Sequence, residues 1–151
     1  MNYRAGFTLV EMTIILGIIA ILFSVTSLNL SNITPKTSLD GALQNFIVNL
    51  KQQQLLALTN NINHGLYIPS DKYTVFKGNS YNPSDSSNFN FSNDDISWST
   101  SASGGVIMFV KNTGNISNMV GTTITISLTQ TITQQTKTIT INKYGIIESI
   151  L

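Results

Sequence analysis

The sequence has no cysteine and little charge. Without cysteine, disulfide bonds, thiolate metal sites and cysteine nucleophiles are all excluded. Charged residues make up 10% of the chain, against roughly 25% in average soluble domains, and Asn, Ser and Thr supply most of the polarity. This composition is typical of a surface held outside the cell.

Clustered positive charge and catalytic motifs are also missing. The net charge is +1 and the lysines are scattered singly, which argues against nucleic acid as a partner. There is no Gly-rich phosphate loop and no paired-carboxylate motif. His64, the single histidine, has no catalytic arrangement around it and is predicted to lie in a turn. The sequence therefore predicts a protein that is not an enzyme and has no cofactor.

Acidic residues offer no metal site by their spacing. Asp85, Asp94 and Asp95 lack the alternating oxygen ligands of a dedicated calcium loop. We interpret them as solvated turn residues, and no metal is predicted.

One long apolar run dominates the amino terminus. Residues 7–30 are almost wholly apolar, and about 24 residues in a helix extend roughly 36 Å, enough to cross a bilayer. Arg4 precedes the run, which favours an amino terminus in the cytoplasm and a head outside. A cleaved secretory signal or a buried core helix fits less well, because the run is long and the remaining residues are few. A single-pass span is predicted.

Glu11 lies inside this run and needs a reason. An acid in a membrane helix costs up to roughly 2.5–3.5 kcal/mol and is normally kept for a partner. If the chain were cut after Gly6, the new amino group of Phe7 would be a cation one helical turn from Glu11. The pair could form within one chain, or between neighbouring chains in a staggered bundle.

The segment Gly6-Phe7-Thr8-Leu9-Val10-Glu11 resembles the processing signal of type IV prepilins and type II secretion pseudopilins. The resemblance implies that a prepilin peptidase cuts between Gly6 and Phe7 and methylates the Phe7 amine. It implies that Glu11 guides docking onto other pilin subunits at an inner-membrane assembly platform. The subunit would be held in membrane lipid beforehand, and afterwards in a cell-surface pilus or periplasmic pseudopilus.

Two departures from that family argue against a major pilin. Leu28 stands where many pilins have a helix-bending proline, and the first proline of this chain is Pro35. The paired cysteines of many pilins are also absent. A minor subunit is therefore favoured.

An amphipathic helix is predicted over residues 31–60. Its apolar stripe is formed by Leu39, Leu43, Phe46, Leu50 and Ala57, widened by Ala42, Ile47 and Leu58. Asn49, Lys51, Gln52 and Gln53 are assigned to the opposite side, and Asn60-Asn61 ends the helix.

A β-rich head is predicted over residues 61–151. Alternating β-branched and polar residues predict strands at 65–68, 73–77, 106–110, 122–128, 138–141 and 146–148. The fold class is therefore α+β: a long amino-terminal helix packed on an antiparallel sheet, as in type IV pilins. Residues 78–105 are predicted to be a long surface loop pinned by one or two buried rings, with a recognition surface as the alternative.

The head resembles the minor pseudopilin branch of general secretion pathway protein H and FimT. The similar segments include residues 64–68, 73–78, 109–114 and 139–145. With the leader at 1–6 and the apolar helix at 7–30, this resemblance implies a fibre subunit.

Two other functions stay open at this point. A competence pseudopilin would bind DNA during uptake, but Gly145 is followed by Ile146, Ile147 and Glu148 rather than by basic residues. A membrane-anchored surface domain that never polymerises would leave Glu11 without a purpose.

Overall fold

The computed structural model describes residues 8–30, 33–117 and 119–151. The chain divides into two compact units at the boundary between Lys36 and Thr37. Two helices come first, α1 (Leu9–Leu30) and α2 (Ile33–Thr59). Eight strands follow: β1 (His64–Tyr67), β2 (Lys72–Lys77), β3 (Phe89–Ser92), β4 (Ile96–Thr100), β5 (Val106–Phe109), β6 (Thr123–Gln130), β7 (Thr136–Asn142) and β8 (Ile147–Ile150). The α+β fold class is confirmed.

Helix α1 begins at a recognisable capping signal. The Thr8 hydroxyl accepts a hydrogen bond from the Glu11 backbone amide at 3.3 Å. Thr8 and Glu11 have the spacing of a capping box, in which a Thr and a Glu three residues later satisfy free amides at a helix start. The sequence therefore fixes where this helix begins.

Helix α2 buries one stripe of side chains against the head. The stripe consists of Leu39, Leu43, Phe46, Leu50, Gln53 and Ala57. The steps of three and four residues keep these positions on one helical face. All five apolar residues predicted for this stripe are buried, whereas Leu58, predicted to widen it, is exposed. Asn61 has a φ of 53°, so the helix ends at the predicted asparagine pair.

Gln53 corrects the prediction for the opposite side of α2. It was assigned to the solvent face with Lys51 and Gln52, yet it is only 5% exposed. The reason is geometric, because Gln53 follows Leu50 by three residues and precedes Ala57 by four. A polar side chain here needs a hydrogen-bonding partner from the head, and the sequence pattern does not reveal one.

The eight strands form two antiparallel sheets. One has the order β3-β2-β1-β5 and the other β4-β6-β7-β8. In the second sheet the isoleucines of β6 and β7 pair directly, Ile124 with Ile141 and Ile126 with Ile139, and all four are buried. Threonines alternate with them on the other face, as predicted. The predicted strands match β1, β2, β5, β6, β7 and β8 to within two residues at each end.

Residues 78–105 are not the long loop that was predicted. They contain β3, β4 and a short 3-10 turn at Ser103–Gly105. β4 pairs with β6, placing Trp98 opposite Leu128 across a separation of 30 residues in sequence. The turn-forming residues around β4 give no local sequence signal for a strand. The strand is recognisable only from its pairing with the distant β6. The prediction that a ring pins the segment is confirmed, since Trp98 is buried.

An aromatic cluster joins α2 to both sheets. The Phe46 ring centroid lies 5.1 Å from that of Tyr73 on β2 and 5.3 Å from that of Trp98 on β4. Tyr73 stacks on Phe91 of β3 at 4.9 Å with an interplanar angle of 9°. The cluster therefore packs helix α2 against strands of both sheets.

Candidate functional site: the amino-terminal segment and the head

Glu11 is the one predicted site residue that the structure describes. Gly6 and Phe7, the predicted cleavage and methylation positions, lie outside the described residues. Glu11 is exposed in the first turn of α1. Among the described residues, no cation forms an ion pair with its carboxylate. A carboxylate in this position is available to a group from outside the described chain.

The residues around Glu11 expose an unusual amount of apolar surface. Every side chain from Thr8 to Ile21 is exposed, and Leu9 is 81% exposed. The large apolar ones are Leu9, Val10, Met12, Ile14, Ile15, Leu16, Ile18, Ile19 and Ile21. Exposed apolar surface on this scale marks contact with lipid or with another protein. This segment therefore requires a covering that the described chain does not supply.

Membrane crossing was predicted for residues 7–30. Within residues 8–30, 33–117 and 119–151, no helix combines the length and the apolar character needed to cross a membrane.

His64 is a buried strand residue, so the prediction of a turn is wrong. It begins β1 and pairs with Lys77 on one side and Phe109 on the other. The run of asparagines before His64 suggested a turn. The residue is instead part of β1 because β2 and β5 pair with this strand on its two sides. Its Nδ1 lies 3.1 Å from Oε1 of Gln53. His64 is therefore the polar partner that the buried Gln53 requires.

The surroundings of His64 favour the neutral form of its ring. Burial lowers the pKa of His64 below its usual value of 6.5, and the nearby Lys77 ammonium lowers this pKa further. The contact between His64 and Gln53 is structural rather than catalytic, because the imidazole meets an amide and not a nucleophile or an acid.

Acid is expected to weaken the head through His64. Because the folded pKa lies below the unfolded one, the stabilising contribution is complete above about pH 6.5 and is lost as pH falls toward the folded pKa. We expect the melting temperature to fall by several degrees between pH 7.5 and pH 5, measured by circular dichroism. The His64→Gln variant should show a smaller fall across this range. An equal fall in both proteins would assign the pH dependence to other groups.

Asp85, one of the three acids considered as metal ligands, stabilises a turn. The Asp85 carboxylate accepts hydrogen bonds from the Ser87 amide at 2.8 Å and the Ser87 hydroxyl at 2.7 Å. These bonds lower the pKa of Asp85. In the part of the chain that the structure describes, no three His, Cys, Asp or Glu side chains converge on a possible metal site. Asp85 therefore serves as a turn residue.

The last turn of the head is fastened to α2. Lys51 Nζ donates to the Gly145 carbonyl at 2.7 Å, and Gln54 Nε2 donates to the Tyr144 carbonyl at 2.7 Å. Gly145 has a φ of 70°, and a Cβ there would lie 2.6 Å from Gln54 Nε2. A glycine is thus required both by backbone conformation and by space. The Lys51 ammonium is engaged in holding this turn.

Comparison with known proteins gives two findings. Residues 1–27 match the family model described as the prokaryotic N-terminal methylation motif. Such a motif implies a membrane-anchored amino-terminal helix. Among solved structures, the type IV minor pilin FimU of Pseudomonas aeruginosa (strain PAO1) is similar, with a TM-score of 0.58 and 13% sequence identity. The similarity covers 76% of this chain and 90% of that chain, and at this identity it shows the fold alone. No curated protein sequence matches the chain.

Proposed function

We propose that the chain belongs to the type IV pilin and pseudopilin superfamily and is a minor structural subunit of a type IV pilus or of a type II secretion-like pseudopilus. The observation that carries the proposal is the pairing of a methylation motif at residues 1–27 with a pilin-like fold. Proteins of this kind are generally not enzymes, and the role proposed here is structural.

The first step is processing of the amino terminus. A prepilin peptidase cleaves between Gly6 and Phe7 on the cytoplasmic side and methylates the new amine. Cleavage removes the leader that carries Arg4 and creates a cation at the start of the apolar segment. The Thr8 cap supports this geometry, because it starts helix α1 directly after the proposed mature terminus.

The second step is docking of the processed subunit. The ammonium group of Phe7 and the carboxylate of Glu11 have opposite charges. Placing either charge in an apolar environment without a partner costs desolvation free energy. When a subunit enters the fibre, its Glu11 pairs with the amine of a neighbouring subunit. The exposed apolar side chains of α1 then pack among like helices, which supplies their covering.

The proposed partners follow from these steps. They are other pilin or pseudopilin subunits, the prepilin peptidase and an inner-membrane assembly platform. Before assembly, the chain is a single-pass inner-membrane protein with its amino terminus in the cytoplasm and its head outside. The finer similarity to general secretion pathway protein H and FimT stays a prediction.

DNA uptake is the weaker alternative. A DNA-binding head needs basic residues free to meet phosphates. At the last turn, Lys51 is bound to the Gly145 carbonyl, Lys143 is the single exposed lysine of the turn, and Ile146 follows the glycine. These contacts favour the structural role.

Intact-mass and amino-terminal analysis of the protein from its native membrane tests the proposal. We expect the mature chain to begin at Phe7 and to carry one methyl group. The Gly6→Val variant should keep Met1 or the full leader, because the peptidase requires a small residue before the cut. Ala5→Val, one position earlier, should be processed normally. A wild-type chain that retains its leader, or is cut elsewhere, would leave a simple anchored surface domain.

A further inference from the structure

The head contains a cavity at the seam between its two sheets. It has a volume of about 280 Å³ and lies where β2, β3 and β4 meet helix α2. The volume falls near the lower end of the roughly 300–1,000 Å³ of small-molecule sites. A cavity of this size holds a single ring-sized group rather than an extended chain.

The lining of the cavity combines aromatic rings with neutral polar groups. Its aromatic part is formed by Tyr73, Phe91 and Trp98, and its polar part by Asn45, Ser92 and Asn93. None of the lining residues carries a charge. Such a mixture is typical of a ligand site, in which apolar walls hold the ligand and a few polar groups orient it.

Gly41 contributes no side chain to the cavity. It lies within α2, where glycine weakens a helix, and it lines the cavity. A Cβ built at this position has no atom within 4 Å, so packing inside the described chain does not require glycine. The missing side chain instead leaves the helix side of the cavity open.

Trp98 lines the cavity with a largely buried ring. Its side chain is 5% exposed, and its indole Nε1 is enclosed by the fold.

We propose that this cavity binds one neutral sugar ring. A carboxylate or phosphate would be buried without a counter-charge, because the lining has no cation. A wholly apolar group would cover the exposed side chains of Asn45 and Ser92 without offering them hydrogen bonds. A neutral sugar satisfies both conditions, since its C–H face packs on aromatic rings and its hydroxyls bond to amide and hydroxyl groups.

Trp98 also provides the measurement, because it is the only tryptophan in the sequence. The full chain is kept in a detergent without a sugar head group and titrated with glucose, galactose and N-acetylglucosamine. Glucuronic acid serves as the charged comparison, and N-acetylleucinamide imitates an apolar side chain of a protein partner. We expect at least one neutral sugar to give a saturable change in Trp98 fluorescence in the millimolar range.

Two variants assign the signal to the cavity. Gly41→Leu should fill the opening and weaken binding at least tenfold, while it folds as well as the wild type because the site has free space. Gln44→Leu places the same side chain at an exposed position of α2 outside the cavity lining, and binding should be unchanged. A melting curve for each variant checks that it is folded.

Several results would overturn the proposal. If none of the neutral sugars gives a saturable signal, or if Gly41→Leu binds as tightly as the wild type, the cavity is not a sugar site. If only N-acetylleucinamide binds, the cavity instead receives an apolar side chain from another protein. The assay uses unassembled protein, so its outcome does not depend on whether the chain forms fibres.

Discussion

Replacing Glu11 with alanine is expected to reduce incorporation into surface fibres at least tenfold. The carboxylate would no longer neutralise the amine of a neighbouring subunit, and that amine would be left unpaired in an apolar environment. Loss of one member of a buried charge pair costs roughly 3–5 kcal/mol, which corresponds to more than a hundredfold in an equilibrium. Quantitative immunoblotting of sheared fibres against the membrane fraction measures the effect.

A second substitution separates charge from helix capping. Glu11→Gln removes the charge but keeps a residue that can complete the capping box with Thr8. If docking depends on charge, Glu11→Gln should be lost from fibres as strongly as Glu11→Ala. If the role of Glu11 is only to start α1, the glutamine variant should assemble normally, and the docking proposal would be wrong. Thr13→Ala, an exposed position on the same helix, serves as the control and should assemble at the wild-type level.

Replacing Phe46 with alanine is expected to destabilise the head by about 3–5 kcal/mol. Phe46 is fully buried, and its ring contacts Tyr73 and Trp98 on different sheets. Its removal leaves a cavity at the point where α2 holds the two sheets together. Denaturant unfolding of the full chain in detergent, followed by Trp98 fluorescence, gives the free energy of unfolding.

The control for this variant lies two residues away on the same helix. Val48 is 62% exposed, so Val48→Ala should change the free energy of unfolding by no more than about 0.5 kcal/mol. Both substitutions introduce alanine, so changes in helix propensity are similar. Equal effects of the two would mean that the aromatic cluster does not hold the head together.

Much of the fold could be predicted from the sequence because its signals are local. The three- and four-residue steps from Leu39 to Ala57 predict the buried stripe of α2, and the structure buries each of those residues. Alternation of apolar residues with threonine or another polar residue predicts β6 and β7 and the face that each presents. In both cases, the spacing of apolar residues within one short segment is enough to predict the element.

The errors share a different cause. β4 lies among turn-forming residues and is stabilised by β6, whose paired residues lie 26 to 34 positions further along the chain. His64 was assigned to a turn because asparagines precede it, but β2 and β5 pair on its two sides. Gln53 was assigned to solvent because it is polar, although its helical position faces the sheet. Each outcome depends on pairing between distant segments.

The sequence by itself was enough to reveal the amino-terminal methylation motif of this protein. A processing motif depends on contiguous residues that a peptidase reads directly, so the motif at residues 1–27 needs no tertiary structure to be recognised. Tertiary structure alone decided that Gln53 meets His64 and that Gly41, Asn45, Tyr73 and Trp98 surround one cavity. These residues come from a helix and separate strands, and only the packing of α2 across the seam of two sheets brings them together.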